Sequence, residues 1–245
     1  MNRQRQVGID RRIKLEWLEH TASLVLAGYS KEDIVSALQD KLRDTLAGGG
    51  SSGRGCREKT ITVLMRVWVN TPTHLSQFKD AGLEILRRTP VNDHLPVHWS
   101  ALMATYPFWR DVAEVTGRLL RLQCTASVSQ VTRRITETYG DRQTVSRSCQ
   151  RALRSFVDWG VLVDTDTRGL FRQDRRMAIS DPKVCAWVLE ALLLSGASSG
   201  TLTGIRVSPA LFPFEMQELS FSEIENNGRL ELIRHGLDYE LIKLK

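Results

Sequence analysis

Twelve arginines and no lysine fall between Arg118 and Arg176. A guanidinium is planar and permanently charged, and its fork of donors matches a phosphate or the O6/N7 edge of guanine. The same stretch holds six acids, Glu137, Asp141, Asp158, Asp164, Asp166 and Asp174. Its excess of six positive charges equals that of the whole 245-residue chain, whose other 22 basic and 22 acidic residues balance. A charge excess confined to one segment is the footprint of a phosphate-binding surface. The preference for arginine, 26 against 8 lysines, is also what a GC-rich coding sequence produces. The clustering therefore carries the inference, and the preference does not.

Other candidate chemistry is thinner. His94-Leu-Pro-Val-His98 puts two histidines four residues apart, but Pro96 between them is expected to keep them off one helical face. No cysteine pair completes a zinc set, so no metal is expected. Gly48 to Gly53 matches GxGxxG, inside a Gly/Ser tract spanning 47–55. A dinucleotide fingerprint needs a strand before it, whereas a helical pattern precedes this one, so the tract reads as a linker. Cys56, Cys124, Cys149 and Cys185 are widely separated and read as reduced thiols of a cytoplasmic protein. There is no GxSxG, HExxH or P-loop, and no catalytic residue or cofactor is assigned.

The elements that must position the arginines follow from periodicity. Val112, Val115, Leu119 and Leu122 predict one helix. Ser127, with Gln130 three residues on, predicts the capped start of a second, whose Val128, Val131, Ile135 and Tyr139 face inward. Gly140 ends it, and Asp141 is the expected N-cap of a third helix over 142–159. Val145, Cys149, Leu153 and Phe156 form the buried stripe of that helix. Two short β-prone runs around the polar tip 164–169 predict a two-stranded hairpin. Three helices followed by a hairpin are the layout of a winged helix-turn-helix, whose last helix enters the major groove. The expected DNA contacts are Arg133, Arg142, Gln143, Thr144, Arg147, Arg151, Arg154, Arg168, Arg172, Arg175 and Arg176. Hairpin arginines would grip phosphates, and Gln143, Thr144, Arg147 and Arg151 would supply any base preference.

The expected fold is mainly α with small β elements, of the α+β class. Residues 1–110 read as a helical N-terminal domain, 111–181 as the winged helix, and 182–245 as a helix plus a small mixed element. In the first domain Ser30 with Asp33 marks a helix start, and Thr71-Pro72 a break. Trp99, Tyr106, Phe108 and Trp109 read as packing residues. Pro182 suits the first turn of a C-terminal helix. Leu230 to Leu244 suggests two strands around His235-Gly236. The longest apolar run, Val184 to Leu194, is too short to span a bilayer, and no secretory leader is visible, so no membrane partner is expected.

The order of these parts resembles the BrxA family of bacterial BREX (bacteriophage exclusion) systems. The matching stretches are Arg12-Ile-Lys-Leu15, Glu58-Lys-Thr60, and the block from Tyr106-Pro-Phe108 to Trp159-Gly-Val-Leu162. The resemblance implies a helical N-terminal domain, a winged helix-turn-helix, binding of double-stranded DNA, and a role in phage defence beside other BREX proteins. It brings no catalytic residues. Members have been labelled inner-membrane proteins, a label at odds with the lack of a spanning segment here. Two other functions fit the same segment: a ligand-responsive transcription repressor, and a protein-docking scaffold of a defence complex. Oligomeric state is not readable from the sequence.

Overall fold

The computed structural model of the chain describes residues 6–47, 55–174, 176–196, 199–235 and 239–245. Five helices come first: α1 (Leu15–Leu26), α2 (Lys31–Lys41), α3 (Cys56–Trp68), α4 (Ser76–Arg88) and α5 (Leu95–Thr105). Ser30 caps α2 by accepting from the Asp33 amide at 3.1 Å. The extended segment Thr71-Pro72 separates α3 from a short 3-10 turn leading into α4, where a residue before proline avoids helical angles. The tract 48–54, expected to be linker, lies outside the described residues.

The middle of the chain forms α6 (Pro107–Gln123), β1 (Thr125–Ser127), α7 (Val128–Tyr139), α8 (Gln143–Asp158), β2 (Leu162–Asp164) and β3 (Leu170–Gln173). The three strands make one antiparallel sheet in the order β1-β3-β2, with Ala126 opposite Phe171 and Val163 opposite Arg172. The hairpin expected from sequence thus has a third strand. β1 is only three residues long, too short for a visible alternation. Ser127 and Gln130 form the reciprocal capping box that starts α7. Gly140 follows α7 with φ of +85°, a conformation open to glycine, and lets the chain turn straight into α8. The N-cap position of α8 is Arg142 and no side chain caps it, so Asp141 does not take the expected role. The apolar stripe of α6 also differs from expectation. It runs through Phe108, Trp109, Val112, Ala113, Thr116, Gly117 and Leu120, while Leu122 is 83% exposed.

The remaining elements are β4 (Met177–Ile179), α9 (Pro182–Leu194), β5 (Ser199–Thr201), α10 (Leu202–Arg206), β6 (Phe214–Met216), α11 (Phe221–Glu225), β7 (Leu230–His235) and β8 (Tyr239–Leu244). β4 pairs with β6 in parallel, and β5, β8 and β7 form an antiparallel sheet in that order. The fold is mainly α with small β elements. α9 is buried from Val184 to Leu193, and the one charge in that stretch, Glu190, is held by Arg229 at 2.5 and 2.8 Å. A buried carboxylate with a forked guanidinium partner avoids the penalty of an unpaired charge. No described helix is long and apolar enough to cross a membrane.

These parts share one core. The expected boundary at residue 110 cuts through α6, and aromatic rings lock that helix to its neighbours. Trp99 of α5 packs on Phe156 of α8 at 4.8 Å, and Trp109 of α6 meets the same ring edge-on at 4.9 Å. Phe212 and Phe214, from the C-terminal part, pack on Trp99 at 5.6 and 5.8 Å. α8 is therefore set by α5, α6 and the C-terminal part of the chain together.

Candidate nucleic-acid interface

The buried stripe of α8 decides which of its side chains reach solvent. Val145, Cys149, Ala152, Leu153 and Phe156 are each no more than 3% exposed. At about 100° per residue this rotates Gln143, Thr144, Arg147 and Gln150 outward, and all four are exposed. Gln143, Arg147, Gln150 and Arg154 follow one another at four-, three- and four-residue steps along a single ridge. Among the described residues, the Arg147 side chain has no ion pair or hydrogen-bond partner.

Beside this ridge lies an open groove of about 850 Å³ between α7, α8 and the tip of the β2–β3 hairpin. α7 contributes Ser129, Thr132, Arg133 and Thr136, α8 contributes Ser146 and Gln150, and the tip contributes Thr167 and Arg168. Arg133 and Arg168 are exposed and, like Arg147, make no ion pair with a described residue. Asp141 is the acid on the groove wall. The tip is fixed in place because the Val128 amide at the start of α7 donates to the Gly169 carbonyl at 2.8 Å. Thr165 closes the turn by donating its hydroxyl to the Leu170 carbonyl at 3.0 Å. Hydroxyls, amides and two guanidiniums on a concave, open surface suit a hydrated polyanion.

The other expected contacts do not join this surface on equal terms. Arg151 is half-buried; it donates to the Asp10 carbonyl and lies 3.6 Å from the Asp10 carboxylate. Arg154 donates to both oxygens of Asp164 at 2.8 and 2.9 Å, tying α8 to the end of β2. Arg142 is exposed at the α8 N-cap and donates to the Tyr139 carbonyl at 2.9 Å. Arg172 is exposed on β3, pointing away from the face that buries Phe171. Arg176 donates to the Phe214 carbonyl at 2.7 Å. Burial, with Arg176 nearby as a second cause, lowers the pKa of Arg121 from its ordinary value. Arg175 lies outside the described residues. The expected set thus divides. Arg133, Gln143, Thr144, Arg147 and Arg168 are open around α7, α8 and the tip, whereas Arg151, Arg154 and Arg176 are engaged by the protein itself.

Residues 9–13 were not expected at this site, yet they strap the flank of α8. The Ile13 amide donates to Ser155 Oγ at 2.8 Å, and the Trp159 indole donates to the Ile13 carbonyl at 2.8 Å. Arg12 forms a two-pronged pair with Asp158, whose hydrogen bonds hold the guanidinium above its usual pKa. An extended segment has no helical period, and its partners are some 140 residues away in sequence, so nothing local points to it.

The histidine pair corrects another expectation. Pro96 sits in the first turn of α5, where a missing amide proton costs nothing, and the helix continues through it. His94 at the N-cap and His98 one turn later therefore do share a face. His94 Nδ1 and His98 Nε2 both lie 2.8 Å from Glu19 Oε2 of α1. These three residues bring ligand atoms within 4.8 Å of one another.

Comparison with family models, with curated proteins and with solved structures returned no match.

Proposed function

We propose that this chain is a non-catalytic, double-stranded-DNA-binding protein acting in the cytoplasm through a winged helix-turn-helix. In this reading α6, α7 and α8 are the three helices, β1-β3-β2 is the small sheet, and α8 is the recognition helix. Support comes first from the element order and the strand order, which are those of that motif. The observation that carries the reading is the open face itself: Arg133, Arg147 and Arg168 stand exposed without carboxylate partners among the described residues, beside the exposed Gln143, Thr144 and Gln150 of α8. Arg133 and Arg168 would grip phosphates on either side of the groove, fixing register. Gln143, Thr144 and Arg147 would meet base edges, a role in which Arg151 is replaced by its contact with Asp10. The likeness to BrxA at Arg12–Leu15, Glu58–Thr60 and Tyr106–Leu162 extends the proposal to phage defence alongside other BREX proteins.

The test is a titration of a labelled duplex at several salt concentrations, followed by selection from fragmented genomic DNA. The expected affinity falls with salt at a log–log slope of about −0.9 per phosphate contacted. A single enriched sequence would indicate a repressor instead of a general binder. Failure to retain duplex at any salt, with retention of a protein partner, would leave the docking scaffold as the function.

A further inference from the structure

We propose that Glu19, His94 and His98 hold a zinc ion, His94 through Nδ1 and His98 through Nε2. Hydrogen-bond bookkeeping leads there. His94 Nε2 lies 2.9 Å from the Thr89 carbonyl, which can only accept, so that nitrogen carries a proton. In the neutral ring Nδ1 is then a bare lone pair, aimed at a carboxylate oxygen 2.8 Å away. Two electron-rich atoms at 2.8 Å need a positive charge between them, which a metal ion supplies as well as a proton does. A ring nitrogen fixed by a backbone carbonyl, with the other turned to a shared focus, is the usual support of a metal-ligating histidine. His98 Nε2 converges on the same Glu19 oxygen, and among the described residues its Nδ1 has no hydrogen-bond partner.

The dimensions fit. Zinc bonds of about 2.0–2.2 Å place tetrahedral ligands roughly 3.3 Å apart. Each nitrogen–oxygen separation need open by only about half an ångström from 2.8 Å to admit the ion. Two imidazoles and a carboxylate are a donor set that zinc accepts. His94 and His98 are 5% and 0% exposed, which fixes two ligands rigidly. Glu19 is 28% exposed and, with His94, lines an open cavity of about 510 Å³ that also bears Lys14, Glu16 and the Arg12-paired Asp158. The fourth position faces that cavity and takes water, making a site with one exchangeable ligand and not a closed four-residue site. Glu19 belongs to α1 and both histidines to the start of α5, so the ion also cross-links two helices of the N-terminal bundle.

The test uses the full chain, stripped with a chelator and then titrated with zinc chloride by calorimetry, with zinc per chain counted after gel filtration. The expected result is one zinc per chain, a higher thermal midpoint, and more than about tenfold weaker binding in Glu19→Gln and in His94→Asn. X-ray absorption of the zinc-loaded wild type should show two imidazoles and oxygen ligands, a readout that stands even if a variant fails to fold. No zinc retained, uptake undiminished in both variants, or sulfur in the coordination shell would each overturn the site. In the first case a proton alone bridges Glu19 and His94.

Discussion

At the scale of single residues, charge alone does not make a binding residue; the partner does. Arg147 and Arg151 are one turn apart on α8, yet only Arg151 has been claimed by the protein, through Asp10. Arg147→Glu should therefore weaken duplex binding by about tenfold or more while leaving the thermal midpoint within a degree or two, since Arg147 makes no ion pair or hydrogen bond through its side chain among the described residues. Arg154→Ala should do the reverse, costing up to about 1 kcal/mol of stability for a half-exposed ion pair and little binding. The cysteines give a second check. Burial raises the Cys149 and Cys185 thiols from an ordinary 9.0 to about 11, while Cys56 and Cys124 are exposed. A thiol reagent should titrate two groups in the native protein and four after denaturation. Because the folded pKa values are raised, their contribution to stability is complete below pH 9 and is lost as pH rises through 11. Thermal midpoints measured over that range, in wild type and in Cys149→Ser, check the direction.

At the scale of elements, close approach and capping set the α6–α7–α8 geometry. A methyl at Gly117 of α6 would sit 2.0 Å from the Pro209 carbonyl oxygen, so helix and turn meet only because no side chain intervenes. Gly117→Ala should cost about 3 kcal/mol or more, since the obstructing atom is backbone and cannot swing away. Ser127→Ala, which breaks the capping box of α7, should cost about 1 kcal/mol. Urea unfolding measures both. That capping box, the Ser30 cap and the inward stripe of α8 were legible in the sequence because each is a local pattern with a fixed spacing. β1 was not, being three residues whose pairing depends on a distant β3. The outward turn of Leu122 is hidden in the sequence because a leucine at helical spacing looks buried, while Thr116 and Gly117 do the packing instead. The pairing of Arg151 with Asp10 was equally hidden, since a charge count over 118–176 cannot see an acid at position 10.

At the scale of the whole molecule, the middle segment is not self-sufficient. Its α8 leans on Trp99, on Phe212, and on a strap whose Ile9 and Ile13 are 3% and 0% exposed. Removing residues 1–13 should cost about 3–5 kcal/mol, from two buried isoleucines and their backbone contacts, read by a fall in the urea midpoint. A fragment 111–181 should fail to give native near-ultraviolet circular dichroism, because Trp99 and the C-terminal phenylalanines complete its core. Charge is distributed differently: the chain outside 118–176 is neutral, so a binding face should be local even though the core is shared. The most direct measurement compares two double charge reversals in duplex titration at fixed salt. Arg133→Glu/Arg147→Glu alters the open face, and Arg87→Glu/Arg88→Glu alters α4 by the same net charge. If the face around α7 and α8 holds DNA, the first pair loses about a hundredfold in affinity and the second stays within a few-fold of wild type. Equal losses in both, or no loss in the first, would contradict it.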